Sequence, residues 1–287
     1  MEALALIDAD PTLRFALALF FGLFVGSFLN VVIHRLPLMM EREWRQACAE
    51  LKETPSQAPD EPLNLAWPSS RCPHCSHPIG ALENIPLLSY LWLKGRCRCC
   101  RQKISVRYPL VEAFTGLLTG YVFWQYGFTV EGVALFALTA ALIAQSGIDI
   151  DHQLLADDIT LPFLWLGLGL GLFGVFCDLE SSVIGAMAGY LSLWSIYWLF
   201  KLITGKEGMG YGDFKLLAML GAWAGWQALP SVVLFASLTG TVYGLARIAT
   251  KRQGRETPIP FGPFLAAGGW LALVLGPNIP NFTLVDL

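Results

Sequence analysis

Apolar runs long enough to cross a bilayer recur along this 287-residue chain, and they limit its fold more than any other feature. A helix crossing about 30 Å of hydrocarbon at about 1.5 Å per residue needs about 20 mostly apolar residues. Runs near residues 13–33, 108–127, 130–149, 159–177, 181–203, 214–227, 229–248 and 261–277 meet or nearly meet that length, the sixth being short for a crossing. Hydrophobic residues make up 55% of the chain and charged residues only 14%, far from the balance of a soluble domain. The expectation is an all-α polytopic membrane protein with eight transmembrane helices. Its first run follows Glu2, Asp8 and Asp10, not a basic cluster, and no A-x-A site comes after it, so it is expected to stay as a helix and not to leave as a signal peptide.

Eight crossings make a prediction about charge, because basic loops tend to stay cytoplasmic. Of the 19 Lys and Arg residues, 18 fall on the side reached at the ends of the first, third, fifth and seventh runs: Arg35 to Arg107, then Lys201, Lys206 and Lys215, then Arg247 to Arg255. Arg14 alone falls on the other side. This places both termini outside and the long 34–107 segment in the cytoplasm; seven crossings would scramble the pattern. The net charge of −3 carries no basic surface that points to nucleic acid.

The chain therefore divides into an N-terminal segment and first helix (1–33), a cytoplasmic loop domain (34–107) and a seven-helix membrane core (108–287). In the loop, a Pro-rich acidic linker (54–70) leads into RCPHCSHPIG and later GRCRCCRQK. Cys72 and Cys75 form one C-x-x-C, Cys97 and Cys100 a second. Two such knuckles supply the four corners of a tetrahedron, the arrangement of structural zinc sites. Zinc or another thiophilic metal is expected; a pair of disulfides is the competing reading, disfavoured in a reducing compartment. Cys99 is an alternative ligand, Cys48 and Cys177 read as small apolar residues, and His74 and His77 as solvated loop histidines. Four thiolates leave no open position for water, so the metal holds the loop together and does no catalysis.

Ionisable groups near membrane depth are costly and mark functional sites by default. Asp149 and Asp151 end the third run, Asp157 and Asp158 precede the fourth, and Asp213 opens the sixth in GMGYGDFKLLAML. The topology puts Asp149 and Asp213 at the same cytoplasmic border. Two carboxylates that meet there share a proton: one acts as base on a water while the other polarises a carbonyl. Gly208, Gly210 and Gly212 are expected to let an extended substrate approach and to tolerate unusual dihedrals, and Asp213 to cap the helix that follows. Taken singly, Asp213 reads as an N-cap and the 149–158 group as a solvated loop.

The run Gly210-Tyr211-Gly212-Asp213, followed by Phe214-Lys215, resembles the G-x-G-D signature of the type IV prepilin peptidases, bacterial G-x-G-D intramembrane aspartyl proteases. GSFLNVVIHRLP (26–37), the paired C-x-x-C loop, RYPLVE (107–112) and DIDHQLLADDIT (149–160) agree with it, so the resemblance covers nearly the whole chain. It implies a bifunctional enzyme of the bacterial inner membrane, with periplasmic termini. The implied activities are cleavage of the basic leader from prepilins and pseudopilins, then methylation of the new N-terminal residue with S-adenosylmethionine, in support of type IV pili, type II secretion or both. The motif match makes Asp149 and Asp213 the catalytic pair and Cys72, Cys75, Cys97 and Cys100 the metal-binding cysteines. Where the family often reads L-P-D, this chain has Leu155-Ala156-Asp157 followed by Asp158, a turn expected to be looser. Asp151, Asp157 and Asp158 are placed to attract a basic leader, while membrane lipid and the spans hold the apolar part of the substrate. Glu112 reads either as a contributor or as a helix-start carboxylate. No dinucleotide-type motif is present, so the methyltransferase rests on the resemblance alone and its cofactor residues are not assigned.

Two readings compete. A proton-coupled transporter using Asp149 and Asp213 as a relay predicts midplane carboxylates and an internal repeat. A related G-x-G-D protease would act on other membrane helices. The four histidines form no H-E-x-x-H, against a zinc metalloprotease.

Overall fold

A computed structural model describes residues 10–51, 63–250 and 259–276. Most of the 54–70 linker, Glu2, Asp8 and the Lys251 to Arg255 cations lie outside the described residues. Among the described residues the chain is helical, with two isolated antiparallel bridges and no longer strand. The elements are α1 (Pro11–Leu51), α2 (Leu88–Trp92), α3 (Arg107–Tyr126), α4 (Val130–His152), α5 (Asp157–Leu172), α6 (Leu179–Thr204), α7 (Tyr211–Ala224), α8 (Leu229–Ala249) and α9 (Gly262–Leu275). Each of the eight expected runs overlaps one of these helices, the fourth running five residues past the end of α5 at Leu172. Among the described residues four stretches, α1, α4, α6 and Trp226–Ala249, are long and apolar enough to cross a membrane. The chain forms two compact units, divided between Gly132 and Val133.

In the first unit α1 packs along α3. Small residues make the approach possible: a Cβ on Gly22 would sit 2.7 Å from Thr119 Cβ, and one on Gly26 2.7 Å from the Glu112 Cα. Gly22 and Gly26 form a G-x-x-x-G pair, the spacing that lets membrane helices touch through their backbones. The Asn30 amide crosses the seam and donates to the carbonyls of Gly26 and Tyr108, both at 3.2 Å. Helix α1 runs well past the expected end of its span at residue 33. Its 41 residues reach about 60 Å, twice the hydrocarbon thickness, so its charged second half extends beyond it. Nothing between 34 and 51 stops a helix except Pro37, and Glu41, Arg42, Glu43 and Arg45 are good helix formers.

In the second unit the short helix α7 is the core. Residues Asp213 to Trp223 are buried apart from Lys215. Its 14 residues span about 21 Å, less than a full crossing, as the shortness of the sixth run anticipates. α6, α5 and α9 surround it. Gly185 and Gly221 face each other so closely that a Cβ on either would land on the other's carbonyl oxygen. Trp223 Nε1 donates to the Phe163 carbonyl at 2.7 Å and the Ser182 hydroxyl to the Ala222 carbonyl at 2.6 Å, tying both neighbours to the end of α7. Asp178 caps α6 by accepting the Ser181 N–H, and Gly205 ends it with a φ of +71°.

Candidate active site and metal centre

Asp149 lies three residues before the end of α4, and Asp213 is the third residue of α7. Both are buried, 6% and 8% exposed, and both belong to the same unit. The fold thus brings together two carboxylates 64 residues apart in sequence. Gly262 and Leu155 set the surroundings of the pair. The Gly262 N–H, at the first residue of α9, donates to Asp149 Oδ2 at 2.9 Å. A Cβ on Gly262 would stand 2.7 Å from that oxygen and 3.0 Å from Leu155 Cδ2. Leu155 is buried and also abuts Gly212, whose own Cβ would meet it at 2.8 Å. This leucine, six residues after Asp149, therefore packs against the first residues of both α7 and α9.

Leu155 is held in turn by Gln145, fully buried one helical turn before Asp149. Gln145 Oε1 accepts the Ala156 N–H and its amide donates to the Ala156 carbonyl, both at 2.9 Å, and to the Thr160 hydroxyl. The turn expected to be loose for want of a proline is pinned at both backbone groups of Ala156. A proline there has no N–H to offer Gln145.

Other expectations need correction. Asp213 is not the N-cap of α7; Gly210 is, and Asp213 stands in the first turn. None of Gly208, Gly210 and Gly212 uses a left-handed backbone; a Cβ on Gly208 would stand 2.8 Å from the Phe200 ring and one on Gly212 2.8 Å from Leu155, so two of the three serve close packing. Asp157 is paired with Lys215 Nζ at 2.6 Å. Glu112 lies beyond the first turn of α3 and accepts the Leu87 N–H at 2.9 Å.

The cysteine loop builds the same knuckle twice. The Cys72 N–H donates to the His77 carbonyl and the Ser76 N–H to that of Cys72, both at 2.9 Å; Cys97 and Arg101 repeat this at 2.8 and 3.0 Å. Ser76 and Arg101 turn back at φ of 57° and 59°, and antiparallel bridges Arg71 to Pro78 and Arg96 to Lys103 close both loops. Within each knuckle, backbone N–H groups point at a sulfur. Those of His74 and Cys75 bring the Cys72 thiol down to about 7, and those of Cys100 and Cys99 hold Cys97 below the ordinary thiol value. The four sulfurs of Cys72, Cys75, Cys97 and Cys100 lie within 4.8 Å of one another, with Cys72 3.8 Å from Cys100 and Cys75 3.9 Å from Cys97. Metal–sulfur bonds of about 2.3 Å in a tetrahedron place sulfurs about 3.8 Å apart, so the cluster has the dimensions of a four-thiolate site. All seven cysteines are free thiols; Cys99 and Cys48 are exposed, and Cys177 is half-buried near the carbonyls of Ala222 and Trp223. His77 stands 3.7 Å from Glu83 and is partly exposed.

Comparison with known proteins decides the family. Residues 136–245 match the type IV leader peptidase family and residues 20–126 the bacterial peptidase A24 N-terminal domain. A protein of Stutzerimonas stutzeri named prepilin leader peptidase/N-methyltransferase is 54% identical over 97% of this chain and 96% of its own length. The chain belongs to the type IV leader peptidase family. Relatives of the same name from Aeromonas salmonicida and Pseudomonas aeruginosa are 54% and 53% identical, over 98% and 97% of this chain and 97% and 96% of theirs. No solved structure matches significantly. The two matched stretches of this leader peptidase family member fall one in each compact unit. Gly262 lies outside both, and the reading of the residues missed it. It also passed over Gln145, although a polar side chain deep in an apolar run is a signal in itself.

Proposed function

We propose that this chain processes type IV prepilins and pseudopilins in the bacterial inner membrane, as an aspartyl endopeptidase that removes the basic leader and a methyltransferase that then methylates the new N-terminus. The observation that carries the peptidase half is the buried Asp149–Asp213 pair, held by Gly262 and Leu155 in a chain about half identical to enzymes so named. One carboxylate takes a proton from a water, whose oxygen attacks the scissile carbonyl carbon; the protonated partner gives its proton to the carbonyl oxygen. The tetrahedral adduct then expels the amine, which takes up a proton as it leaves. The products are a leader carboxylate and a free N-terminal amine, the group that methylation requires.

Eight crossings, with both termini periplasmic and residues 34–107 cytoplasmic, are the arrangement that keeps 18 of 19 cations on one side. A prepilin has a basic leader before an apolar helix, so its scissile bond reaches the border at which Asp149 ends α4, with Asp151 and Asp158 attracting the leader. Residues 108–287 carry the peptidase. The four cysteines would hold zinc, which closes the knuckles and offers no open position for chemistry. S-adenosylmethionine supplies the methyl group. The relay alternative is disfavoured because both aspartates stand near helix ends, not at mid-helix. The test is prepilin cleavage by the purified protein, with mass spectrometry of the product.

A further inference from the structure

The proposed cleavage makes no use of the stretch Ile85–Leu93, IPLLSYLWL, which lies between the two knuckles. It turns at Leu87, with a φ of +58°, into the short helix α2. Two contacts fix its height against the membrane helices of its own unit. The Leu87 N–H donates to Glu112, and Glu112 lies five residues inside α3, about 8 Å beyond its start. Residues 85–88 also share an apolar cavity of 190 Å³ with Phe20, Leu23 and Phe24, in the middle of the first apolar run. Phe20 and Phe24 are themselves exposed, as lipid-facing side chains are. The turn thus reaches below the level at which α3 begins.

Its outer surface is apolar. Leu82, Leu88, Leu91 and Trp92 are 67%, 64%, 71% and 77% exposed, and the last three share one face of α2 at i, i+3 and i+4, an apolar surface that water disfavours. Behind it the chain is basic: Lys94, Arg96, Arg98, Arg101, Lys103 and Arg107 follow within a few turns. Glu83 is the single acid between 71 and 107, and it is engaged with Arg98. An apolar wedge crowned by cations, continuous with the lipid-facing side of α1, matches acyl chains beneath anionic headgroups.

We infer that residues 85–93 are inserted in the bilayer as a short wedge that binds an anionic lipid surface and holds the cysteine knuckles against it. Segment 34–107 is then a membrane-seated element, not a free loop.

The test uses the full chain in vesicles of phosphatidylcholine and phosphatidylglycerol, with the photo-reactive residue p-benzoylphenylalanine in place of Leu88, Leu91 or Trp92. Phe24 serves as a lipid-facing reference and Trp44, in the charged half of α1, as a solvent reference. Lipid adducts at 88, 91 and 92 comparable to those at Phe24, with background at Trp44, are expected. Background at all three positions while Phe24 reacts overturns the inference. Adducts to an added prepilin in place of lipid also overturn it, since the patch would then be a substrate surface. Omitting phosphatidylglycerol should lower the yield at 92 and leave Phe24 unchanged; an unchanged yield at 92 refutes the headgroup part. Quenching by brominated lipid, stronger in the wild type than in Trp92→Phe, gives a check that needs no photo-reactive variant, and equal quenching counts against insertion.

Discussion

The Gly262 N–H and the Asp149 carboxylate, 113 residues apart, are joined by a 2.9 Å hydrogen bond that leaves no room for a side chain at Gly262. A methyl group there must displace the Asp149 carboxylate or Leu155. Gly262→Ala is therefore expected to lower kcat for leader cleavage by about 100-fold, the scale of a misplacement near 1 Å, with a smaller change in KM. Steady-state kinetics on a prepilin checks this; wild-type kcat would show that the carboxylate does not depend on the glycine.

Gln145 satisfies both backbone groups of buried Ala156. Gln145→Leu leaves the buried Ala156 N–H without this partner, at a cost of about 1–3 kcal/mol, while the Ala156 carbonyl keeps the N–H groups of Ile159 and Thr160. Thermal unfolding in detergent should show a lower Tm, and cleavage should fall further than stability does because Leu155, the next residue back, abuts both Gly212 and Gly262.

The four sulfurs are expected to bind one zinc per chain. Cys72→Ser and Cys97→Ser should each reduce the metal content measured by elemental analysis, and should open residues 71–103 to proteolysis while the second unit stays resistant. Lowering the pH protonates thiolates and so competes with the metal, hence metal should be lost on acidification and not on alkalinisation. Full metal occupancy in both variants would contradict the assignment.

If Asp151 and Asp158 attract the basic leader, the double variant Asp151→Asn, Asp158→Asn raises KM, most at low ionic strength where screening is weakest. Asp157→Asn alone should do little to KM, because that carboxylate already faces Lys215. A KM independent of salt in wild type and double variant alike would remove these acids from leader recognition.

The helices and the cysteine site were legible in advance for a physical reason: apolar length and thiolate spacing are local properties of the chain. Asp149 and Asp213 were legible because a buried carboxylate is costly enough to stand out in an apolar run. What surrounds them was not. Gly262 looks like any glycine in a Pro-rich turn, and its role appears only when α9 meets the end of α4. The same holds for Gly185 against Gly221 and for Gly22 and Gly26 on α3: the sequence records small residues, but contact partners are set by packing. Helix α1 exceeded its expected span because hydropathy marks where lipid ends, not where a helix ends.

The most direct test of the central claim is leader cleavage of a prepilin by purified wild type, Asp149→Asn and Asp213→Asn in lipid with S-adenosylmethionine present, read by mass spectrometry of the product's N-terminus. The account predicts cleavage and a gain of one methyl group for the wild type, and a loss of cleavage of about 10⁴-fold or more in both variants with their Tm preserved. Cleavage that persists in either variant would contradict it.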